Sequence, residues 1–246
     1  MAAGLDAVDT EGGGLRSISP MPRNLFITGT DTGVGKTLVS CALIHALKAR
    51  GLSVAGMKPV ASGSEPTPDG LRNADALALQ RASNVTVEYS IINPYCFEPA
   101  IAPHLAAQQS GSIIELLKLQ NAYQQLAQRA EVVVVEGAGG WRVPLEPQGY
   151  LSDFPELLQL DVILVVGLRL GCLNHALLTA QAIQSGPCRL RGWVGNHAEA
   201  GFAQAEANLI TLTQRLSVPC LGVLPFAADR DPVNLSHYLQ LDTLFV

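Results

Sequence analysis

Residues 24–37 read Asn-Leu-Phe-Ile-Thr-Gly-Thr-Asp-Thr-Gly-Val-Gly-Lys-Thr, a short apolar run that opens into a glycine-rich loop and closes on Gly35-Lys36-Thr37. Such a segment restricts the chain to folds in which a buried strand hands over to a helix through a phosphate-sized turn. Backbone N–H groups of the loop and of the following helix then point at phosphate oxygens. The Lys36 ammonium bridges the outer phosphates, and the Thr37 hydroxyl is placed for Mg²⁺. The spacing departs from the usual pattern: Gly29 and Gly35 enclose five residues where four are usual, and Thr30 occupies the expected first-glycine position.

Context decides the reading. Leu25–Thr28 is rich in strand formers, and after Lys36 the apolar residues Leu38, Val39, Ala42, Leu43, Ala46 and Leu47 recur at helical spacing up to a stop at Arg50-Gly51. The competing reading is a Gly/Thr-rich strand-to-helix turn that binds nothing. The Lys-Thr pair at the helix start argues against it.

Strand and helix patterns alternate to the end without a long polar linker, so residues 24–246 are expected to form one α/β domain. Charged residues make up 15% of the chain, below the roughly 25% of an average protein, which suits a parallel sheet buried on both faces. A formal net charge of −5 without a basic run argues against a nucleic-acid surface. The cysteines at 41, 96, 172, 188 and 220 stand singly, and an odd number without a secretory signal points to reduced thiols and a cytoplasmic protein. The longest apolar stretches are strand-length, so no membrane span is expected. Residues 1–23 are expected to be a disordered extension; the Gly- and Ala-rich residues 1–20 also read as lying upstream of a start at Met21.

Along the chain, strands are expected at Ser53–Met57, Val132–Val135, Val162–Val166, Leu190–Val194 and Cys220–Val223. Helices are expected at Ala74–Arg81 behind Asn73, at Ile113–Ala130 with Ser112 as N-cap, from the Gly171 turn to about Gln184, and at Ala203–Leu216. Residues 61–73 read as loop, and three prolines break regular structure around Asn93–Pro103. The alternation predicts a three-layer, phosphate-loop NTPase type of α/β fold, with a mostly parallel central sheet flanked by helices. Ligands of such sheets bind at the carboxyl edge of the strands, so Lys36, Thr37, Lys58, Glu136, Asn174 and Asn196 are expected to converge there.

Glu136 ends an apolar strand before a glycine-rich turn, the place from which an acidic residue holds Mg²⁺ directly or through water. Asp75 lies near a helix start, where the helix dipole alone explains a carboxylate. Lys58 is one of four lysines and follows a strand expected to end beside the phosphate loop. An ammonium there can neutralise a transferring phosphoryl group or an anionic substrate; the alternative is a solvent-facing lysine. Ser62 and Ser64 read equally as substrate ligands or loop residues. The five histidines form no ligand spacing, and no covalent nucleophile arrangement stands out, which leaves phosphoryl transfer by positioning and charge.

Six motifs together resemble the dethiobiotin synthetase family: Gly29–Thr37, Met57-Lys-Pro-Val-Ala-Ser-Gly63, Leu71-Arg-Asn-Ala-Asp-Ala76, Asn93-Pro-Tyr95, Val135-Glu-Gly-Ala-Gly-Gly-Trp141 and Gly171-Cys-Leu-Asn-His-Ala176. The likeness runs from about residue 24 to the region of Pro225, and the five-residue spacing in the loop is typical of that family. The resemblance implies an enzyme that uses ATP, Mg²⁺ and CO₂ or bicarbonate to close the ureido ring of 7,8-diaminononanoate through a carbamate and a carbamic–phosphoric anhydride. It implies that Thr37, Asp75 and Glu136 hold Mg²⁺, and that Lys58 and Lys36 are catalytic, with Lys58 at the carbamate and γ-phosphate. The nucleotide would lie on Gly33, Val34, Gly35, Lys36, Thr37, Asp75, Glu136, Gly137 and Gly139, with Asn196 reading adenine and Pro225 closing over the base. Thr32, Lys58, Ser62 and Gly139 would meet the diamine. Leu173 and Asn174 would reach its carboxylate from the partner of a homodimer. Gly33 stands where many members carry glutamate, which bears on substrate contacts more than on the phosphate cradle.

Two rivals share the core. A cobyrinic acid amidating synthetase carries a further amidotransferase domain for which this chain has no room. A partitioning or septum-positioning ATPase of the ParA/MinD kind carries an extra lysine where this chain has Thr30-Asp31-Thr32, and residues 233–246 hold no basic membrane helix.

Overall fold

Six aliphatic runs pair into one sheet: β1 (Asn24–Gly29), β2 (Val54–Met57), β3 (Val132–Glu136), β4 (Asp161–Gly167), β5 (Leu190–Asn196) and β6 (Cys220–Leu224), in the order β6-β5-β4-β1-β3-β2. Every junction of this sheet is parallel. The computed structural model describes residues 24–145, 149–200, 202–226 and 230–245, so the expectation for residues 1–23 lies outside the described residues.

The central strands β1, β3 and β4 are almost wholly buried because helices cover both faces. Along β4, Val162, Leu164 and Val166 join Phe26, Val133, Val135 and Trp193 on one face, while Ile163 and Val165 join Leu25, Ile27, Val132 and Val134 on the other. The first face is covered by α3 (Leu116–Ala127), α4 (Cys172–Gln184) and α5 (Ala205–Arg215), through residues such as Leu119, Ile183 and Leu212. The second is covered by α1 (Lys36–Lys48), α2 (Ala74–Ala82) and the C-terminal leucines Leu235, Leu241 and Leu244. The three-layer arrangement read from the alternation is the one the chain adopts.

β3 stands between β1 and β2, and β2 forms the sheet's edge. Local detail differs from the sequence reading in three places. The helix expected from Ile113 begins at Leu116 with Glu115, not Ser112, as N-cap. Residues 112–115 stay outside the helix: Ile114 is buried and the Glu115 backbone N–H donates to the Tyr95 hydroxyl at 2.9 Å. Within the expected loop 61–73, Glu65–Thr67 and Gly70–Arg72 pair as an antiparallel hairpin, with Gly70 at φ +98° turning the chain. In the proline-rich stretch, Tyr95–Cys96 pairs with Val60–Ala61, and Pro103 opens a short helix, Pro103–Gln109, where its missing N–H costs nothing.

Candidate active site

The turn after β1 is held from below. The Val34 side chain is buried and packs against Gly29 and Gly167, while its carbonyl accepts a hydrogen bond from Asn196 Nδ2 at 2.8 Å. Gly33 and Gly35 take φ values of +73° and +90°, a region that suits glycine. No side chain caps α1, so the amide groups of its first turn face outward as an anion-binding end. On the rim, the Asp31 carboxylate accepts from the Thr32 N–H at 2.7 Å and from Arg169 at 2.6 Å, and the Asp31 carbonyl accepts from Lys36 Nζ at 3.0 Å.

Strand register places the second lysine. β2 pairs with β3 so that Met57 lies opposite Val135, which brings the next residues, Lys58 and Glu136, side by side. Lys58 Nζ lies 2.5 Å from Glu136 Oε1 and 2.8 Å from Asp75 Oδ2, and it also donates to the Gly137 carbonyl at 3.3 Å. Thr37 Oγ1 donates to the same Glu136 oxygen at 2.9 Å. Asp75 arrives from the first turn of α2, whose start is fixed by Asn73: its side-chain oxygen accepts from the Asp75 and Ala76 amides. Burial opposes the Lys58 charge, but Glu136 and Asp75 outweigh it and hold the pKa above the ordinary lysine value. Burial likewise opposes the Asp75 charge, yet Lys58 and a hydrogen bond to Thr37 hold its carboxyl below the usual range.

These groups open into a cavity of about 780 Å³ lined by Thr32, Gly33, Gly35, Lys36, Thr37, Lys58, Ser62, Asp75, Glu136 and Gly139, together with Ala61, Ala100–Pro103, Ala138 and Arg142–Pro144. Part of the lining is ionic and carries both lysines, while Ala100–Pro103, Val143 and Pro144 add an apolar part. A ligand with a charged head and an aliphatic body matches that division.

A family model described as an AAA domain matches residues 23–234. The ATP-dependent dethiobiotin synthetase BioD of Pseudomonas paraeruginosa is 50% identical over 220 residues, covering 89% of this chain and 96% of that protein. The enzyme of the same name from Yersinia pestis (strain Angola) is 50% identical over 231 residues, with 91% and 96% covered. The chain belongs to the ATP-dependent dethiobiotin synthetase family. Among solved structures it resembles the MinC:MinD cell division complex of Aquifex aeolicus, with a TM-score of 0.55 at 15% identity over 90% of this chain and 94% of that one. It also resembles the signal recognition particle receptor FtsY of Elizabethkingia anophelis, with a TM-score of 0.51 at 17% identity over 92% of this chain and 66% of that one. At those identities the likeness is one of fold.

For a dethiobiotin synthetase family member, an ATP-dependent ligase, the donor set bears on a metal. Among the described residues no three His, Cys, Asp or Glu side chains cluster as a self-sufficient site. What the chain does bring together is one hydroxyl, Thr37, and two carboxylates, Asp75 and Glu136, and Glu136 Oε2 is buried without a hydrogen-bond partner. A few hard oxygen donors beside a polyphosphate cradle fit Mg²⁺, which keeps waters and phosphate oxygens as its other ligands. These residues fit the ion.

Not all of the expected residues share the cavity. Asn196 lies behind the phosphate loop, fully buried, with Nδ2 on the Val34 carbonyl and Oδ1 accepting from Arg230 at 3.2 Å. Leu173 and Asn174 stand in the first turn of α4, and Pro225 follows β6; none of the three lines the cavity. The expected convergence at one edge therefore separates into a cavity and its surroundings. Ser64, left open by the sequence, is buried and accepts from the Cys96 thiol at 3.1 Å, a structural role. The apolar wall and Arg142 went unnoticed because alanine, proline and valine carry no chemical signature. The one sequence signal for Arg142 is its place two residues after the Gly137–Gly140 turn.

Lys36 carries a pH consequence. Burial, then the nearby Lys58 charge, lowers its pKa to about 8 from 10.5. Between those values the unfolded chain binds the proton and the folded one sheds it, so this group adds stability as pH rises through the window. Polyphosphate favours the charged form, so ATP binding is expected to take up protons above about pH 8. Calorimetry in two buffers of different ionisation enthalpy reads that uptake directly; identical heats would contradict it.

Proposed function

We propose that the protein is a Mg²⁺-dependent dethiobiotin synthetase of the cytoplasm, with residues 24–246 acting as one synthetase domain. It closes the ureido ring of 7,8-diaminononanoate with CO₂ at the expense of ATP. The observation that carries this reading is the cavity itself: a phosphate loop, a buried lysine between two carboxylates, and apolar lining from Ala100–Pro103, Val143 and Pro144, in a member of this family.

In this reading one amine of the diamine takes up CO₂ and loses a proton to become a carbamate. A carbamate oxygen attacks the γ-phosphorus and ADP leaves. The second amine then attacks the carbonyl carbon, and phosphate departs from the mixed anhydride. Lys36 and the amides of the loop and of the first turn of α1 hold the outer phosphates, and Lys58 holds the carbamate against the γ-phosphate. Thr37, Asp75 and Glu136 would hold Mg²⁺, which spreads the charge of the phosphate oxygens when bound. Thr32, Ser62 and Gly139 border the amine end, and the wall from Ala100 to Pro103 flanks the carbon chain. Asn196 and Pro225 would take the adenine, for which Asn196 must exchange its partner Arg230.

A homodimer completes the reading. Leu170 and Leu178 are 90% and 57% exposed around the turn that carries Leu173 and Asn174, an apolar surface suited to a second copy. The test is ATP-dependent phosphate release on adding diaminononanoate, bicarbonate and Mg²⁺, compared with 7-keto analogues lacking one amine. The diamine is expected to stimulate release and yield the cyclic urea, and the analogues are not; release indifferent to the diamine would remove the assignment.

A further inference from the structure

We propose that the Lys58 ammonium is a resident counter-ion of the divalent-cation site, and that arrival of the metal displaces it toward the cavity. The inference rests on the reading above that Thr37, Asp75 and Glu136 hold Mg²⁺. It concerns what those residues hold when no metal is present.

Lys58 makes ion pairs with the same two carboxylates that would bind the metal, and its closest contact is Glu136 Oε1, the oxygen that also accepts from Thr37. The Lys58 side chain is 5% exposed and that of Glu136 is fully buried, so neither charge has water to fall back on. A buried charged carboxylate is costly without a partner, and here the chain supplies a cation. A divalent ion on Glu136 and Asp75 would stand within a few ångströms of the ammonium, and the two positive charges repel. Thr37 can turn its hydroxyl to offer a lone pair, and Glu136 Oε2 has an unused acceptor, so carboxylate and hydroxyl can both change partner without moving the strand. The ammonium instead must swing. Its backbone is held by strand pairing at Met57 and by the Lys58 N–H donating to the Ile92 carbonyl at 2.8 Å, which leaves the flexible stem to carry the charge into the cavity lined by Thr32, Ser62 and Gly139. Loading the metal and presenting the lysine to the substrate thus become one event. An enzyme without metal keeps Lys58 tied to the carboxylates.

The first measurement is Mn²⁺ binding, followed by the electron paramagnetic resonance of free Mn²⁺, in nucleotide-free protein. Lys58→Met keeps the stem and removes the competing charge, so it is expected to bind Mn²⁺ at least about tenfold more tightly than the parent. Adding Glu136→Gln should abolish that gain. Equal affinities for parent and Lys58→Met, with Glu136→Gln weakening both, would leave the metal site standing and overturn the counter-ion role. If Glu136→Gln changed nothing in either background, the metal reading would fall and this inference with it. A second measurement needs no charge-removing variant. The chain has only four lysines, so ¹⁵N-lysine labelling yields few Nζ signals, and Lys58→Arg identifies the one in question. Its slowly exchanging ammonium signal is expected to shift along the same curve as Mg²⁺ binding. A signal that stays put while the metal site fills overturns the proposal.

Discussion

Lys58→Ala is expected to lower the turnover of diamine-dependent phosphate release by about 10³-fold, the scale seen when one preorganised donor to a developing charge is lost. The dissociation constant for ATP should change no more than a few-fold. The two expectations separate because different parts of the chain do the two jobs. In the proposed function the triphosphate lies on the loop amides, the start of α1, which no side chain caps, and Lys36. Lys58 stands beside that cradle but after a different strand, tied to Glu136 and Asp75. The variant also loses the cation of a buried pair, at a cost of about 3–5 kcal/mol in the metal-free protein. Kinetics therefore belong at saturating Mg²⁺ and well below a melting temperature measured alongside. A folded Lys58→Ala protein that retains turnover would remove Lys58 from the mechanism.

Gly35→Ala should be the most damaging small change in the phosphate loop. The residue sits at φ +90°, which costs an L-residue about 1–2 kcal/mol. A methyl group there would also stand 2.1 Å from Asn196 Nδ2. Asn196 cannot retreat, since it is buried in β5 and tied to Val34 and Arg230. Overpacking of this kind costs a further 1–3 kcal/mol or so, giving a total near 3 kcal/mol. At roughly 2–4 °C per kcal/mol for a chain of this size, the melting temperature should fall by about 6–12 °C, and ATP affinity should fall with the loop geometry. Gly33→Ala is the control. Its φ is +73°, but the added methyl meets open space, so only the backbone term applies, about 1–2 kcal/mol. Equal losses in the two variants would show that the approach to Asn196 is not what demands glycine at 35.

Much of the site was legible because its residues lie at the ends of strands that announce themselves. The valine run 132–135 delivers Glu136, the run ending at Met57 delivers Lys58, and the apolar period after Lys36 marks the helix on which the phosphate loop ends. Asp75 was less legible: its place in the first turn of α2 is explained by the helix dipole alone, and only packing reveals Lys58 beside it. Residues 113–115 were misread as helix because Ile113 and Ile114 suit either conformation. What decides is the burial of Ile114 and the hydroxyl of Tyr95, 20 residues away in sequence. The hairpin at 65–72 and the wall at 100–103 were missed because short exposed strands and small apolar residues leave no period to detect.

By itself the sequence determined the parallel α/β class, the phosphate loop and the family motifs, since each depends on residues adjacent in the chain, where spacing and apolar period suffice. Only the tertiary structure decided that β3 lies between β1 and β2, and that Lys58, Glu136, Asp75 and Thr37 meet within hydrogen-bonding distance while Asn196 braces the loop from behind. The reason is physical. Strand order and register are set by how the whole sheet buries its two faces, and no local window of sequence contains that balance.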